Sequence, residues 1–345
     1  MSTGTDDGVR HGARNDAPRA AADDARPPAR GQATRQAGAL VDGERGLARE
    51  LEPRQLTMIA LGGAIGTGLF LGSALAVQTA GPAVIVSYAF CALLVLVLTG
   101  ALAEMAVAHP TPGAFGVHAE AYVSPWAGFV VRYTFWFAQA IVIGGDAIAV
   151  AIYCGWWFPD VPQWAWIVGF ATLLIGVNAR SVGQFGTLEY WFAMIKVVAI
   201  VCFIAFGALL LAGFVPGSPA VGLANLTEHG GFFATGLAGV WLASSFVVFG
   251  FVGTEVVAVT AGEAKDPERA VPRALRTVAL RLAVFYVGAI FVLVALVPWN
   301  ASHSGGIDAS PFVRVFETIG VPAAAHVVNF VVVTAALSSM NCNLY

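Results

Sequence analysis

The feature that most constrains this chain is a set of long apolar runs without charge and without alternation. Ile85 to Leu98, Val197 to Leu211 and Leu282 to Val297 are three of them. Strands of a transmembrane barrel would alternate over about ten residues, so continuous runs predict helices. A helical span needs about 20 mostly apolar residues. Eight such stretches follow residue 55, over 56–79, 83–104, 126–157, 163–178, 188–213, 234–258, 277–299 and 323–345. Charge is scarce to match: 11% of the 345 residues are charged and 58% are hydrophobic. A soluble domain carries about 25% charged residues. The fold class expected is all-α integral membrane. A net charge of −3 with no basic face excludes nucleic acid as a partner, and four Cys exclude a disulfide-stapled domain.

Residues 1–50 differ from the rest. They hold eight Arg and eight acids and almost no large apolar side chain. They cannot bury enough surface to offset ordering entropy and read as a disordered cytoplasmic tail. That tail is either a bare extension or a regulatory segment. Residues 51–345 form the expected transmembrane domain. The eighth run stops at Asn341-Cys342-Asn343-Leu344-Tyr345 with no polar flank, which reads as a fragment cut inside or just after that span.

Lys and Arg set the expected orientation. With the N-terminus inside, the inner side carries sixteen basic residues, including Arg132, Arg180 and the cluster Lys265, Arg269, Arg273, Arg276 and Arg281. The outer loops carry Arg314 alone. The aromatics Trp156, Trp157, Phe158, Trp164 and Trp166 fit an outer interfacial belt. The expected location is therefore a cell membrane (a bacterial inner membrane), crossed several times with the N-terminus cytoplasmic.

No catalytic signature stands out. The six His are scattered and the four Cys fall one per span, as buried apolar thiols would. A Walker A sequence, G-x-S-x-G and H-E-x-x-H are missing from the sequence. The reading is that the chain is not an enzyme and needs no cofactor or metal.

Two spans carry glycine in mid-membrane. The first reads Leu61-Gly62-Gly63-Ala64-Ile65-Gly66-Thr67-Gly68-Leu69-Phe70-Leu71-Gly72. Each Gly costs up to about 1 kcal/mol in a helix interior. The segment is either poised to unwind or is a close-packing face, since Gly62/Gly66 and Gly68/Gly72 match G-x-x-x-G. The sixth reads Ser244-Ser245-Phe246-Val247-Val248-Phe249-Gly250-Phe251-Val252-Gly253-Thr254-Glu255. Two broken helices, each heading a five-helix half, point to an inverted-repeat transporter. The outer half of the first would offer free N–H groups to a carboxylate. The outer half of the sixth would end in free carbonyls that can hold an ammonium. One site with both suits an α-amino acid zwitterion.

Gly62 to Phe70 resembles the first-span signature of amino acid permeases in the amino acid–polyamine–organocation superfamily. So do Phe251-x-Gly253-x-Glu255, Ala261-Gly262-Glu263-Ala264-x-x-Pro267 and Val271-Pro272-Arg273-Ala274. Pro110-x-x-Gly113-x-Phe115 and Glu189-Tyr190-Trp191-Phe192 to Lys196-Val197 also fit. Ala74 departs from a glycine common in the family, a small change in packing. The resemblance implies a LeuT-like core of ten helices in two inverted repeats, usually twelve helices in all. This chain would hold the first repeat and three helices of the second. It further implies backbone contacts to substrate from Ala64, Ile65, Gly66, Thr67 and Gly68, and from Phe249, Gly250, Phe251, Val252 and Gly253, with Phe249 or Phe251 as an aromatic lid.

Charges inside the spans complete the reading. Lys196 lies about eight residues into the fifth run, hence about 12 Å deep at 1.5 Å per residue. It either snorkels to the inner interface or acts as a proton-linked switch in the place where relatives of the fold hold sodium. Glu255 is an interfacial acid facing the basic loop or a proton-coupling group. Asp146 lines a substrate path or faces a water-filled vestibule, and Arg132 anchors the inner end of span three. The expected function is secondary active import of an amino acid, with the proton as coupling ion. An exchanger and a transport-inactive amino acid sensor are the alternatives.

Overall fold

The computed structural model describes residues 64–108, 114–179, 182–215, 220–255, 267–300, 310–318 and 322–344. Among these the regular structure is entirely helical: α1 (Thr67–Phe70), α2 (Gly72–Ala80), α3 (Val84–Ala108), α4 (Ala114–Tyr122), α5 (Pro125–Gly155), α6 (Gln163–Asn178), α7 (Val182–Leu211), α8 (Gly236–Val247), α9 (Pro267–Leu296), α10 (Pro311–Thr318) and α11 (Pro322–Leu344). Local chemistry sets the ends. Ser124 caps α5, its hydroxyl accepting from Ala127 N–H at 3.1 Å, and Pro125 takes the first turn, where its missing N–H costs nothing. Gly81 ends α2 with φ +62°, and Pro82 follows.

Among the described residues, five stretches are long and apolar enough to cross a membrane: Thr67–Ala106, Pro125–Gly155, Leu188–Leu211, Ala274–Leu296 and Ala323–Leu344. The 40-residue stretch joins two of the expected spans through a 3-10 turn at Gly81–Ala83. Gln163–Asn178 and Gly236–Phe251 are apolar but shorter. At 1.5 Å per residue α6 reaches about 24 Å, less than a typical hydrocarbon core. The tail, residues 56–63 of the first expected span, the end of the sixth, and the motif segments at 110–113 and 261–266 lie outside the described residues.

Two short helices were not foreseen. α4 precedes α5, and Arg132 of α5 pairs with Glu120 of α4 at 2.6 Å. α10 occupies a segment read as outer loop. Phe312 of α10 packs on Phe70 and Phe203, and Ser310, just before it, donates to the Phe70 carbonyl at 2.8 Å.

The packing follows a pattern. α2 lies on α8, α3 on α9, and α5 on α11. In chain order these are the first, second and third spans against the sixth, seventh and eighth. Small polar side chains tie the helices together: Asn329 of α11 donates to the Tyr153 carbonyl of α5 at 3.0 Å, and Ser87 of α3 donates to the Val240 carbonyl of α8 at 2.8 Å. Such bonds bind helices in a medium that offers no water. Outward, Leu93, Val97, Leu98, Phe129 and Trp136 are exposed, as a lipid-facing surface requires. Trp156, Phe158 and Trp164 are also exposed at the α5–α6 corner. Cys91, Cys154 and Cys342 are buried, whereas Cys202 is exposed on α7, contrary to the expectation of four buried thiols.

Candidate functional site

The chain leaves helical geometry twice where glycines cluster. Residues 65 and 66 form a bend, and Gly66 is extended (φ −112°, ψ −155°) before α1 starts at Thr67. In the sixth span α8 ends at Val247 and tightens into a 3-10 turn over Val248–Phe251. Val252 is then extended (φ −60°, ψ 138°), and Gly253 takes φ +104°, a conformation that side chains disfavour. Glu255 folds back on this turn, its carboxylate accepting from Gly253 N–H at 2.9 Å.

The two breaks meet. A Cβ built on Gly68 would lie 2.5 Å from the Gly250 Cα, and one on Gly66 would lie 2.7 Å from Ser339 Oγ. Only glycine allows these approaches. Tyr286 of α9 spans both segments: its buried hydroxyl lies 2.7 Å from the Ala64 carbonyl and 2.8 Å from that of Gly250. One O–H proton thus serves two carbonyls that have left the regular ladder.

A small cavity opens between the breaks, α5 and α11. Its walls include Ala64, Gly66, Thr67, Gly68, Phe249, Gly250 and Val252. Of the other expected contacts, Ile65 and Phe251 are in the core. Phe251 packs at a tilt on Tyr286 with ring centroids 4.7 Å apart, so Phe249 is the aromatic at the cavity. Gly253 shapes the turn and does not line the cavity.

Asp146, Ser339 and Asn343 also line it. The last two were missed in the sequence. They are four residues apart, on one face of α11, where Asn343 donates to the Ser339 carbonyl at 2.8 Å and receives a bond from Gln139 at 2.8 Å. Two small polar residues at i and i+4 in an apolar run were the available signal.

Lys196 does not snorkel. It is fully buried, its ammonium donates to Ser338 Oγ at 2.7 Å, and Glu189 Oε1 stands 4.0 Å away. Ser338 donates in turn to Glu189, and Asn341 reaches the other carboxylate oxygen at 3.4 Å. Asn178 bonds Asn341 at 2.8 Å, adding α6 to the network. Glu189 precedes Lys196 by seven residues, two helical turns, so the pair shares one face of α7. That spacing could have flagged the pair. A buried ion pair survives only when both charges are well hydrogen-bonded, and these two share a hydroxyl. Ser338 faces this pair while its neighbour Ser339 faces the cavity.

Residues 55–345 match the amino acid permease family. The chain is 46% identical to the gamma-aminobutyric acid permease of Bacillus subtilis, over 87% of this chain and 63% of that protein. It is 43% identical to the probable threonine/serine transporter YbxG of the same organism, over 87% and 64%. It is 38% identical to the D-serine/D-alanine/glycine transporter of Escherichia coli, over 88% and 64%. The chain thus spans just under two thirds of the length of the curated relatives it matches.

Proposed function

The chain belongs to the amino acid permease family, and on that premise we propose that it serves secondary active import of a small amino acid in symport with protons. The observation that carries this reading is the meeting of two interrupted helices over a small cavity. A helix interrupted in mid-membrane leaves backbone donors on one side of the break and acceptors on the other. The start of α1 offers N–H groups to a carboxylate, and the end of the sixth span offers carbonyls to an ammonium. The α-amino and α-carboxyl groups are common to all amino acids, so this part of the site reads the class.

The size of the substrate follows from close walls and from kinship. Gly66 and Gly68 have no room for a methyl group, and the relatives above are named for small amino acids. The pairing of spans one to three with six to eight supports an inverted-repeat, LeuT-like core. The buried pair Lys196 and Glu189 supports proton coupling, since a buried titratable pair can exchange a proton with each change of access. Glu255, bound to the broken turn, is a second coupling candidate.

The test is uptake of labelled glycine, serine, threonine and 4-aminobutyrate into proteoliposomes holding the complete gene product, with the other amino acids as competitors. An imposed inward proton gradient should drive accumulation above equilibrium. Uptake indifferent to the gradient but driven by internal amino acid would identify an exchanger. Binding without flux would identify a sensor.

A further inference from the structure

We propose that Asp146 receives the ammonium of the transported amino acid and so decides which molecules the cavity accepts. This rests on the amino acid reading above and adds a charged contact to the backbone ones. Asp146 is 1% exposed, and among the described residues it is the only charged side chain that lines the cavity. Its Oδ1 accepts from Thr67 Oγ1 at 2.6 Å. Its Oδ2 is buried and has no hydrogen-bond partner among the described residues. Ser339 lines the same cavity.

A carboxylate oxygen held out of water without a donor is costly. The cost is removed when the occupant of the cavity brings the donor. The substrate's ammonium is cationic and carries three N–H donors. One can meet Oδ2 in a charge-assisted bond, while the others remain for backbone carbonyls at the breaks and for Ser339. Thr67 fixes the carboxylate from the opposite edge, and it is the first residue of α1. The group that reads the ammonium is therefore oriented by the same break that offers N–H groups to the substrate carboxylate. Both ends of the zwitterion are measured against one short segment. A deaminated or N-acylated analogue leaves Oδ2 bare and is rejected.

Two measurements on the complete gene product test this. In the first, the wild-type protein is treated with dicyclohexylcarbodiimide, which modifies carboxyls in apolar surroundings, and Asp146 labelling is followed by mass spectrometry. Glycine, L-serine, L-threonine and 4-aminobutyrate are the probes, with thermal stabilisation as the readout of binding. A probe that binds should slow labelling of Asp146 at least fivefold, and its N-acetyl derivative should not. In the second, Asp146→Asn keeps the oxygen that Thr67 bonds and loses the charge. It should weaken binding of that probe at least tenfold.

Unprotected labelling in the presence of a bound probe overturns the Asp146 proposal and leaves the amino acid reading standing. So does Asp146→Asn affinity within twofold of wild type. If that variant also loses gradient-driven accumulation, the residue carries a proton instead. If none of the four probes binds wild-type protein, the proposal falls together with the reading it rests on.

Discussion

Gly68 and Gly250 touch so closely that a single methyl group on Gly68 would lie 2.5 Å from the Gly250 Cα. The reverse is not true. A Cβ on Gly250 would find its nearest heavy atom, the Gly68 carbonyl carbon, at 3.5 Å, and one on Gly72 would find nothing within 4 Å. The glycines of the first span are thus unequal, which a G-x-x-x-G pattern does not convey.

Gly68→Ala should force the two interrupted helices apart. Overpacking of this kind costs about 1–3 kcal/mol, so thermal unfolding in detergent should fall and substrate affinity should drop by about tenfold. Gly72→Ala is the control and should match wild type in both. Equal behaviour of the two variants would remove the helix contact from the argument.

Lys196→Gln should abolish accumulation driven by a proton gradient, because a carboxamide cannot titrate. It also leaves Glu189 without its cation, at a cost of about 3–5 kcal/mol for a buried unpaired charge. The double variant Lys196→Gln/Glu189→Gln should recover the melting temperature and not the coupling. Gradient-driven accumulation by Lys196→Gln would return the residue to a structural role.

Tyr286→Phe removes the donor shared by the Ala64 and Gly250 carbonyls. Leaving buried acceptors unsatisfied costs about 1–3 kcal/mol, and the ring packing against Phe251 and Tyr88 is retained. Unfolding should move to lower temperature by a few degrees, with the largest loss of amide protection around residues 64–68 and 248–252 in hydrogen exchange. Unchanged protection there would show that the breaks are held by other contacts.

Orientation can be read directly. Asp160→Cys, in the exposed corner between α5 and α6, should react with an impermeant maleimide in intact cells. Val123→Cys, in the turn between α4 and α5, should react only after permeabilisation. The opposite pattern would invert the topology inferred from Lys and Arg.

The long apolar helices were legible because hydropathy over twenty residues is a strong, additive signal. Glycine clusters marked both interruptions for the same reason that they permit them. α10 stayed hidden because its eight residues are too few for a span, and what fixes it is distant: Phe70 and Phe203. The polar half of the site was hidden too. Ser338, Ser339 and Asn343 are small residues in a run that any hydropathy window averages away. Glu189 was seen as part of a motif and its spacing from Lys196 is local, but the hydroxyl that joins the two, Ser338, comes from 142 residues beyond Lys196. Contacts between distant spans are not written in local pattern.

The polar character of α11 has a consequence for how the protein is made. It is the least apolar of the five long stretches, and Asn329, Thr334, Ser338, Ser339 and Asn341 are all buried within it. Its bonds run to Tyr153 of α5, to Glu189 and Lys196 of α7, and to Asn178 of α6. A segment of this kind partitions weakly into lipid by itself. During synthesis it would become secure only when the earlier helices were already waiting to receive it. The same side chains that equip the interior thereby impose an order of assembly, in which the last span described enters the bilayer as a guest of the third, fourth and fifth.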